Sequence, residues 1–362
     1  MRLLFDGFWW VRGPLANQTV MREFVHAWSR AFPGDELLVA IRRKHVAMFE
    51  EPEGVRPVTT RLGPQAVSNA IELPLLARLH RADFVVSHNY APITGRSLVF
   101  IHDLLFEDNP QWFSLKERVY FSPMAVLARR ASIVATSSET EAARMQRLHR
   151  ELAPVLTTGL GVSSGLTHAT ARRPAGLPEV ANFVLSVGRL NARKNLATVI
   201  AGAMRSASIT ANRPLVIVGS AEYSGAQADL PPAVAEFVSD GRLIFLGRVS
   251  DGELRWLYER ADCLIYMSLD EGYGLPPAEA LHFGAPVIAS DIAVMRETVG
   301  RRGALVPPDS AEKLAAALER IAPRTTSAPA TTTRDAELQW ERAAGSMRAA
   351  MLSFEAGREH NA

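Results

Sequence analysis

A chain of 362 residues is too long for one ordinary hydrophobic core and suits two domains of about 150 to 180 residues each. Hydrophobic residues make up 48% of it, which is enough for complete cores and argues against general disorder. The formal net charge of +2 is too small to predict nucleic-acid binding, so any site for an anion must be local.

The single cysteine, Cys263, excludes an internal disulfide and a metal site built from several cysteines, and it fits a reducing compartment. No stretch reaches the roughly 18 consecutive apolar residues of a membrane helix. Residues 1–6 (MRLLFD) reach an acid too early for the apolar region of a signal peptide. We therefore expect a cytoplasmic protein, with room for peripheral contact at the inner face of a membrane.

Short apolar runs alternate with helical patterns in the first half, which is typical of a parallel sheet covered by helices. Between the first two runs, Val20, Phe24, Trp28 and Ala31 recur at spacings of three or four, as in an amphipathic helix. The strands predicted here are residues 3–5, 36–41, 84–87, 98–101 and 133–136.

A polar stretch rich in proline, glycine and arginine, residues 167–180, predicts a linker. A second alternation of apolar runs and helical patterns comes after it, and a final amphipathic helix covers about 335–358. The predicted strands of this half are residues 183–187, 215–218, 243–246, 263–266, 287–289 and 304–306. The sequence thus predicts two α/β domains, 1–170 and 171–334.

The most informative stretch is 270–284 (DEGYGLPPAEALHFG), which comes after the apolar run 263–266 and predicts the start of a short helix. Pro277 suits the first helical turn, where its missing N–H costs little. Gly272 and Gly274 allow the backbone to approach a ligand closely. The helix start then offers unpaired N–H groups to a phosphate.

Two carboxylates bracket this helix start. Glu271 stands before the turn, and Glu279 lies inside the helix, about 4 to 5 Å beyond Pro276 at roughly 1.5 Å of rise per residue. A helix cap and a solvated acid would explain the pair in isolation. Together with the glycines, the prolines and the preceding strand, a ligand site is the better interpretation.

The run Glu271-Gly-Tyr-Gly-Leu-Pro with Glu279 resembles the two-glutamate signature of glycosyltransferase family 4, whose members are retaining enzymes with the GT-B fold. Residues 284–291 (GAPVIASD), 297–300 (ETVG) and 306–309 (VPPD) are similar to the segments that come after the signature in that family. The resemblance implies two Rossmann-like domains whose parallel sheets face one another across a cleft.

The resemblance also implies roles for this stretch. Glu271 would contact the hydroxyl groups of a donor sugar, and Glu279 would hold the ribose of its nucleotide. We expect the nucleotide base near Arg248 and Val249. The donor-binding residues that the resemblance implies in the signature itself are Gly272, Tyr273, Gly274, Leu275 and Glu279.

A basic loop, residues 188–195 (GRLNARKN), comes directly after the predicted strand 183–187. Arg189 can grip two phosphate oxygens, and Lys194 adds a mobile point charge. Such loops are usually solvated, but this one occupies the position of the family's diphosphate clamp. The resemblance assigns the clamp to Arg189 and Lys194, with Arg193 as a secondary candidate.

No two aspartates in the chain are separated by a single residue, so the metal-binding carboxylate pair of the other large glycosyltransferase fold is absent. We therefore expect no metal ion and no other cofactor. Fixed cations would stabilise the departing nucleoside diphosphate in place of a metal.

In the first half, Val99-Phe-Ile-His102-Asp103 places two polar residues beyond a strand, at the edge where α/β sheets bind ligands. A lone histidine there is more often a structural hydrogen-bonding residue. This segment resembles the family's His-Asp pair at the end of a strand. The resemblance therefore assigns His102 to the catalytic residues and Asp103 to the acceptor side. The acceptor side also takes Gly13, where many family members carry a glycine pair after the first strand.

The run Arg42-Arg43-Lys44-His45 is either solvated surface or a contact for anionic lipid headgroups. At the other end of the chain, residues 338–344 (LQWERAA) resemble the family's last helix. That resemblance implies that the helix at about 335–358 returns to pack on the first domain.

The resemblance as a whole implies a retaining glycosyltransferase. It moves a hexose, with mannose as the first expectation, from a nucleotide-diphospho sugar to a glycan or polyprenyl-linked acceptor in cell-surface polysaccharide synthesis. The alternatives are a nucleotide-sugar epimerase of the same fold and a non-catalytic nucleotide-sugar binding protein. Residues 161–165 (GVSSG) come after a candidate strand, 155–157, and match the nucleophile elbow of serine hydrolases. The polar linker that comes next is not the apolar helix which that chemistry needs. The predicted catalytic residues are Glu271, His102, Arg189 and Lys194.

Overall fold

The computed structural model describes residues 1–50, 52–180, 182–219, 233–324 and 331–359. The chain divides into two compact units. The first comprises Met1–Leu104, Arg118–Ser163 and Glu337–Ala362, and the second comprises Leu105–Glu117 and Ser164–Ala336. The limits inferred from sequence (1–170, 171–334 and about 335–358) stay a prediction.

Within the described residues, the first unit contains a parallel sheet of seven strands in the order β3-β2-β1-β4-β5-β6-β7. The sequence analysis did not assign β3, whose Pro57 interrupts the apolar pattern. Proline is tolerated there because β3 is an edge strand. The strands are β1 Arg2–Gly7, β2 Glu36–Arg42, β3 Val55–Thr60, β4 Phe84–His88, β5 Ser97–Phe100, β6 Ile133–Thr136 and β7 Val155–Thr157.

The second unit contains, in its described part, a parallel sheet of six strands in the order β10-β9-β8-β11-β12-β13. All six correspond to runs predicted as strands. They are β8 Val184–Val187, β9 Leu215–Val218, β10 Leu243–Gly247, β11 Cys263–Tyr266, β12 Val287–Ser290 and β13 Ala304–Val306.

Helices connect the strands of each unit. The α-helices of the described chain are α1 Leu15–Ala31, α2 Gln65–Val67, α3 Leu73–Leu79, α4 Leu105–Asp108, α5 Leu115–Phe121, α6 Pro123–Ala128, α7 Glu139–Leu148, α8 Ser164–His168, α9 Leu196–Arg205, α10 Val234–Ser239, α11 Asp251–Arg260, α12 Leu275–His282, α13 Ala293–Thr298, α14 Ala311–Glu319 and α15 Thr333–Glu359. A π-helical segment, Ser68–Glu72, joins α2 to α3. Short 3-10 turns lie at Arg43–Met48, Pro110–Trp112, Arg150–Leu152, Ala192–Lys194 and Gly300–Arg302. None of the helices in the described ranges combines the length and the apolar character needed to cross a bilayer.

The last helix, α15, packs on α1 within the first unit. The ring of Trp340 is buried edge-on against Phe24, with 5.4 Å between the ring centroids. Its Nε1 donates to the carbonyl of Val162 over 2.9 Å. Near its other end, Arg348 donates its Nε to Asp35 over 2.8 Å. The first unit is therefore completed by a segment that comes last in the chain.

Both sheets have the doubly wound strand order 3-2-1-4-5-6, with one further strand in the first, as in Rossmann-like domains. The order reverses between β1 and β4 and again between β8 and β11. Sheets of this kind bind ligands beyond the carboxyl ends of the strands at such switch points. The fold therefore directs attention to two places, the loops after β8 and β11 and the loops after β1 and β4.

Candidate active site

The switch point of the second sheet begins where β8 and β9 end. Gly188 has a φ of +155°, and Gly219 has a φ of +140°. A Cβ atom on Gly219 would stand 1.8 Å from the carbonyl oxygen of Gly188, so only glycine fits there. This close approach holds the two strand ends together and fixes the start of the basic loop.

Two asparagines shape the basic loop after β8. Asn191 accepts the backbone N–H of Lys194 on its Oδ1, over 3.2 Å, and so caps the turn Ala192–Lys194. Asn195 has a left-handed φ of +54°, which asparagine tolerates better than most residues. Its Nδ2 donates to the carbonyl of Pro308 over 2.6 Å. The side chain of Lys194 therefore leaves a loop whose backbone is fixed on both sides.

Glu271 forms the centre of a buried ion-pair network at the carboxyl end of β11. Its carboxylate pairs with Arg193 and with Lys194, whose Nζ lies 2.5 Å from Oε1. Tyr266, the last residue of β11, donates its hydroxyl to the same Oε1 over 2.9 Å and accepts a hydrogen bond from Lys194. The structure thus brings the predicted residues Glu271 and Lys194 into direct contact.

Arg193 is the arginine that holds Glu271. It also donates Nη1 to the carbonyl of Asp270 over 3.0 Å, and its own carbonyl accepts the N–H of Leu269 over 2.9 Å. Arg189 is exposed, but it lies near enough for its charge to act on Lys194. Sequence reasoning gave Arg193 only a secondary place, because the direction of a loop side chain cannot be read from spacing.

The charges in this network do not balance. Although burial opposes it, the charges of Arg193 and Lys194 hold the pKa of Glu271 well below its ordinary value, so the carboxylate is ionised. Burial is the main cause that lowers the pKa of Lys194 from 10.5 to about 8. Attraction by Glu271 opposes this fall, and repulsion by Arg193 and Arg189 adds to it. Within the network of Arg193, Lys194 and Glu271, two positive charges face one negative charge in surroundings that solvate them poorly, and an anion would relieve the imbalance.

The start of α12 lies directly beyond Glu271. Gly274 precedes the helix with a φ of +95°, and a Cβ atom there would meet Met295 at 2.4 Å. The carbonyl of Tyr273 accepts the hydroxyl of Thr298 over 2.7 Å, which fixes the turn. Gly272 is buried, and Leu275 is the first helical residue. The predicted helix start is therefore present next to Glu271 in the chain. Pro276 and Pro277 have no N–H, so Gly274 and Leu275 are the residues whose backbone N–H groups it offers.

Glu279 lies one turn inside α12 in different surroundings. Its Oε2 accepts the hydroxyl of Tyr258 over 2.8 Å. Burial raises the pKa of Glu279 to about 7, and the hydrogen bond from Tyr258 opposes that rise only in part. Two glutamates eight positions apart thus differ in charge near neutral pH, since Glu271 is ionised and Glu279 titrates.

The residues predicted to lie near a nucleotide base come after β10, which is two strands away from β8 in the sheet. Arg248 is exposed and Val249 is half-buried. Both residues lie at the carboxyl edge of the sheet, which is also the edge that carries the loops after β8 and β11. Their contact with a nucleotide base stays a prediction.

At the switch point of the first sheet, His102 lies two residues beyond β5. Its ring packs edge-on against His88 and Phe100, with centroid distances of 4.6 and 5.3 Å. Burial lowers its pKa to about 4, so the imidazole is neutral. Within the described chain its Nε2 has no hydrogen-bond partner, which leaves one nitrogen for a ligand. Asp103 is the next residue and is half-exposed.

The glycine predicted on the acceptor side has a packing role in the structure. Gly13 has a φ of +157°, and a Cβ atom there would meet the ring of Trp9 at 2.2 Å. Trp9 in turn donates its Nε1 to Gln65 over 2.8 Å. The next residue, Trp10, is buried against Phe49. Contact of Gly13 with an acceptor stays a prediction.

A buried carboxylate below this loop was missed by sequence reasoning. Asp6 lies near the end of β1 and accepts hydrogen bonds from Gln65 over 2.9 Å, from Asn69 over 2.7 Å and from the N–H of Phe8 over 2.9 Å. Burial raises its pKa even though these donors lower it. An acid at the end of an apolar first strand was the available signal. Asp6 fixes the loop above it by tying β1 to the helix that begins at Gln65.

The structure has two doubly wound parallel sheets, and the cationic cluster of Arg193 and Lys194 around Glu271 lies at the switch point of the second. These are the features of an α/β protein of the GT-B class. Residues 168–325 match the family model described as "Glycosyl transferases group 1". This segment of the chain is therefore similar to that family. The resemblance seen in the two-glutamate signature is thereby confirmed.

Individual relatives point in the same direction. The chain is 26% identical over 241 residues to the O-antigen chain mannosyltransferase RfbU of Salmonella typhimurium, a match that covers 65% of this chain and 63% of that protein. It is 28% identical over 250 residues to the O-antigen chain mannosyltransferase B of Escherichia coli, at 66% and 63% coverage. The chain thus spans less than two thirds of the length of either.

Among solved structures, the sucrose-phosphate synthase of Thermosynechococcus elongatus superposes with a TM-score of 0.64 at 17% identity. The match covers 98% of this chain and 94% of that one. At this identity the likeness shows the fold alone, and it confirms the predicted GT-B architecture.

Proposed function

We propose that the chain is a retaining glycosyltransferase that moves mannose from a nucleotide-diphospho sugar to a glycan or lipid-linked acceptor in surface polysaccharide synthesis. The observation that carries this proposal is the network of Lys194, Arg193 and Glu271 beside the start of α12. Its surplus positive charge suits a diphosphate, and the mannosyltransferase names of the relatives support the choice of sugar.

The chemistry asked of these residues is electrostatic. As the bond between sugar and diphosphate breaks, negative charge builds on the leaving oxygen, and Lys194 and Arg193 stabilise it without reorganisation. Glu271, held ionised by the same cations, accepts hydrogen bonds from sugar hydroxyls. In the proposed front-face attack, a donor phosphate oxygen takes the proton of the acceptor hydroxyl.

His102 and Glu279 complete the proposed assignment. The neutral imidazole of His102 offers Nε2 to the donor sugar. Glu279 accepts from the ribose hydroxyls. We place the protein in the cytoplasm, because its proposed donor, a nucleotide sugar, is found there. We also propose peripheral contact at the inner membrane face.

The test is a panel of nucleotide sugars measured by thermal shift and then by transfer to an acceptor, with and without EDTA. A bound donor raises the midpoint temperature of thermal unfolding, because it binds the folded chain and not the unfolded one. We expect stabilisation by a nucleotide-diphospho mannose and a rate that EDTA leaves unchanged, since the proposal requires no metal or other cofactor. Loss of the rate in EDTA would refute the metal-free clamp. Epimerised donor without transfer would identify an epimerase, and binding without turnover would identify a binding protein.

A further inference from the structure

An apolar stripe lies on the outer face of the helical rod that comes after β3. The rod consists of α2, the π segment Ser68–Glu72 and α3. An outward helix face normally carries polar residues. Here four apolar residues at a spacing of four occupy it, with exposed fractions of 37%, 44%, 63% and 72% for Val67, Ile71, Leu75 and Leu79. The stripe is therefore an apolar surface that the chain itself leaves uncovered.

The π segment keeps the stripe in line. In a regular α-helix, residues four apart advance by slightly more than one turn, so a stripe with this spacing drifts around the axis. A π turn takes more residues per turn and offsets part of the drift. Ile93, which is 47% exposed, adjoins the stripe because its N–H donates to the carbonyl of Ala70 over 3.1 Å.

Cations stand at both ends of the stripe. Arg61 precedes the rod, and Arg78 and Arg81 lie at its end, all three exposed. Glu72 is the one acid in residues 61–81, and it is occupied. It accepts the backbone N–H groups of Arg61 and Leu62 over 2.7 and 2.8 Å. Within residues 61–81 the outer face thus combines apolar and positive groups. In the described chain, the nearest exposed acids in sequence, Glu50, Glu53 and Asp83, lie outside this range.

The basic run singled out in the sequence adjoins this face. Nη2 of Arg42 lies 3.6 Å from where a Cβ atom of Gly63 would stand, so the turn Arg43–Met48 borders the loop that leads into the rod. The turn repeats the mixture of cations and apolar residues. Its exposed members are Arg43, Lys44, Val46, Ala47 and Met48. We call residues 42–48 and 61–81 together the basic apolar face.

The opposite side of the rod is fixed to the sheet. Gln65 and Asn69 are buried and donate to Asp6 near the end of β1, and both also donate to the carbonyl of His88 at the end of β4. The rod therefore cannot rotate to bury its apolar stripe. The same contacts place the stripe on a helix that borders the first switch point.

We propose that the basic apolar face binds the surface of an anionic lipid bilayer. Apolar residues that enter the headgroup boundary, flanked by arginines and lysines that meet anionic lipids, are the pattern of an interfacial helix. A second copy of the chain fits the face less well, because a two-fold contact would bring its arginines against one another. The inference deepens the proposed function, on which it rests for the lipid-linked acceptor that such a surface would bring to the first unit.

The test is co-sedimentation with vesicles of phosphatidylcholine alone and of an equal mixture with phosphatidylglycerol. We expect binding to the anionic vesicles alone, weakened by added sodium chloride. The double variant Leu75→Gln, Leu79→Gln should lower the partition coefficient about tenfold. Arg78→Ala and Arg81→Ala should each lower it about fivefold. These positions are exposed, so the variants keep the stability of the parent.

Matched controls lie at exposed positions elsewhere, Leu352 within α15 and Arg320 directly after α14. Leu352→Gln and Arg320→Ala should leave vesicle binding unchanged. The proposal is overturned if the parent does not bind anionic vesicles. It is also overturned if the variants at Leu75 and Leu79, at Arg78 and at Arg81 bind as strongly as the parent does. It is equally overturned if sedimentation velocity shows a dimer that the double leucine variant dissociates. Nucleotide-sugar affinity measured without vesicles should be the same in all variants, and absence of that affinity in the parent would refute the proposed function alone.

Discussion

Replacing Lys194 by methionine is expected to separate the stability of the second unit from its chemistry. Methionine has a similar length and no charge, so it fills the same space. The variant keeps Glu271 paired with Arg193 and hydrogen-bonded to Tyr266. No buried carboxylate is therefore left without a partner.

The magnitude comes from the pKa of the lysine. A value lowered from 10.5 to about 8 means that the folded state holds the protonated amine about 3 kcal/mol less well than the unfolded chain does. This cost is present in full at pH values below about 8, the pKa of Lys194 in the folded state. It disappears as the pH rises from about 8 to 10.5, the pKa in the unfolded chain. At pH 7 the methionine variant should gain between about 0 and 3 kcal/mol in free energy of unfolding, since lost hydrogen bonds offset part of the relief. Turnover should fall about 100- to 1000-fold, because the leaving diphosphate loses one fixed cation.

The assay is urea denaturation at pH 7 and again near pH 10, paired with a steady-state transfer assay at pH 7. The exposed Lys313→Met is the control and should change stability by less than about 0.5 kcal/mol, with turnover unchanged. A methionine variant of Lys194 that is clearly less stable than the parent at pH 7 would show that the lysine serves the fold. An unaltered rate would remove Lys194 from the site.

The pH dependence of donor binding provides a second prediction. In the proposed assignment, ribose hydroxyls donate to an ionised Glu279. Burial raises the pKa of this residue to about 7, so donor affinity should fall as the pH drops below 7 and level off above it. Calorimetry across this range checks it, and a flat profile in the parent or the same slope in Glu279→Gln would contradict it. Gly219→Ala should unfold the second unit or cost more than about 3 kcal/mol, because its Cβ would stand 1.8 Å from the Gly188 oxygen. Thermal melting decides this, with Gly34→Ala, which meets nothing within 4 Å, as the control.

The sequence predicted the second sheet well, because its strands are buried on both faces and appear as continuous apolar runs such as LVIV in β9. It missed β3, whose buried and exposed positions alternate irregularly around Pro57. Glycines and prolines located the start of α12, since those residues constrain the backbone locally. The remaining gaps concern contacts between distant residues.

Those gaps arise from tertiary geometry. Whether Arg189 or Arg193 would hold Glu271 depends on how a short turn aims its side chains, and both lie in the same basic run. The hydrogen bonds to Asp6 join β1 to Gln65 and Asn69, which lie 59 and 63 positions further along the chain. No local sequence pattern indicates contacts over such a separation. The pKa of Glu279 is likewise set by tertiary structure, because burial raises it and the hydrogen bond from Tyr258, 21 positions away, opposes that rise.

The place of α15 has a consequence for how the chain folds as it is synthesised. Phe24 is made early, whereas its packing partner Trp340 is made near the end. The second unit, apart from its short segment Leu105–Glu117, is encoded between them and has all its strands before the final helix exists. The unit that contains α1 therefore completes its core only after the second unit has been made, and until then the apolar face of α1 that α15 will cover is open to aggregation or to a chaperone.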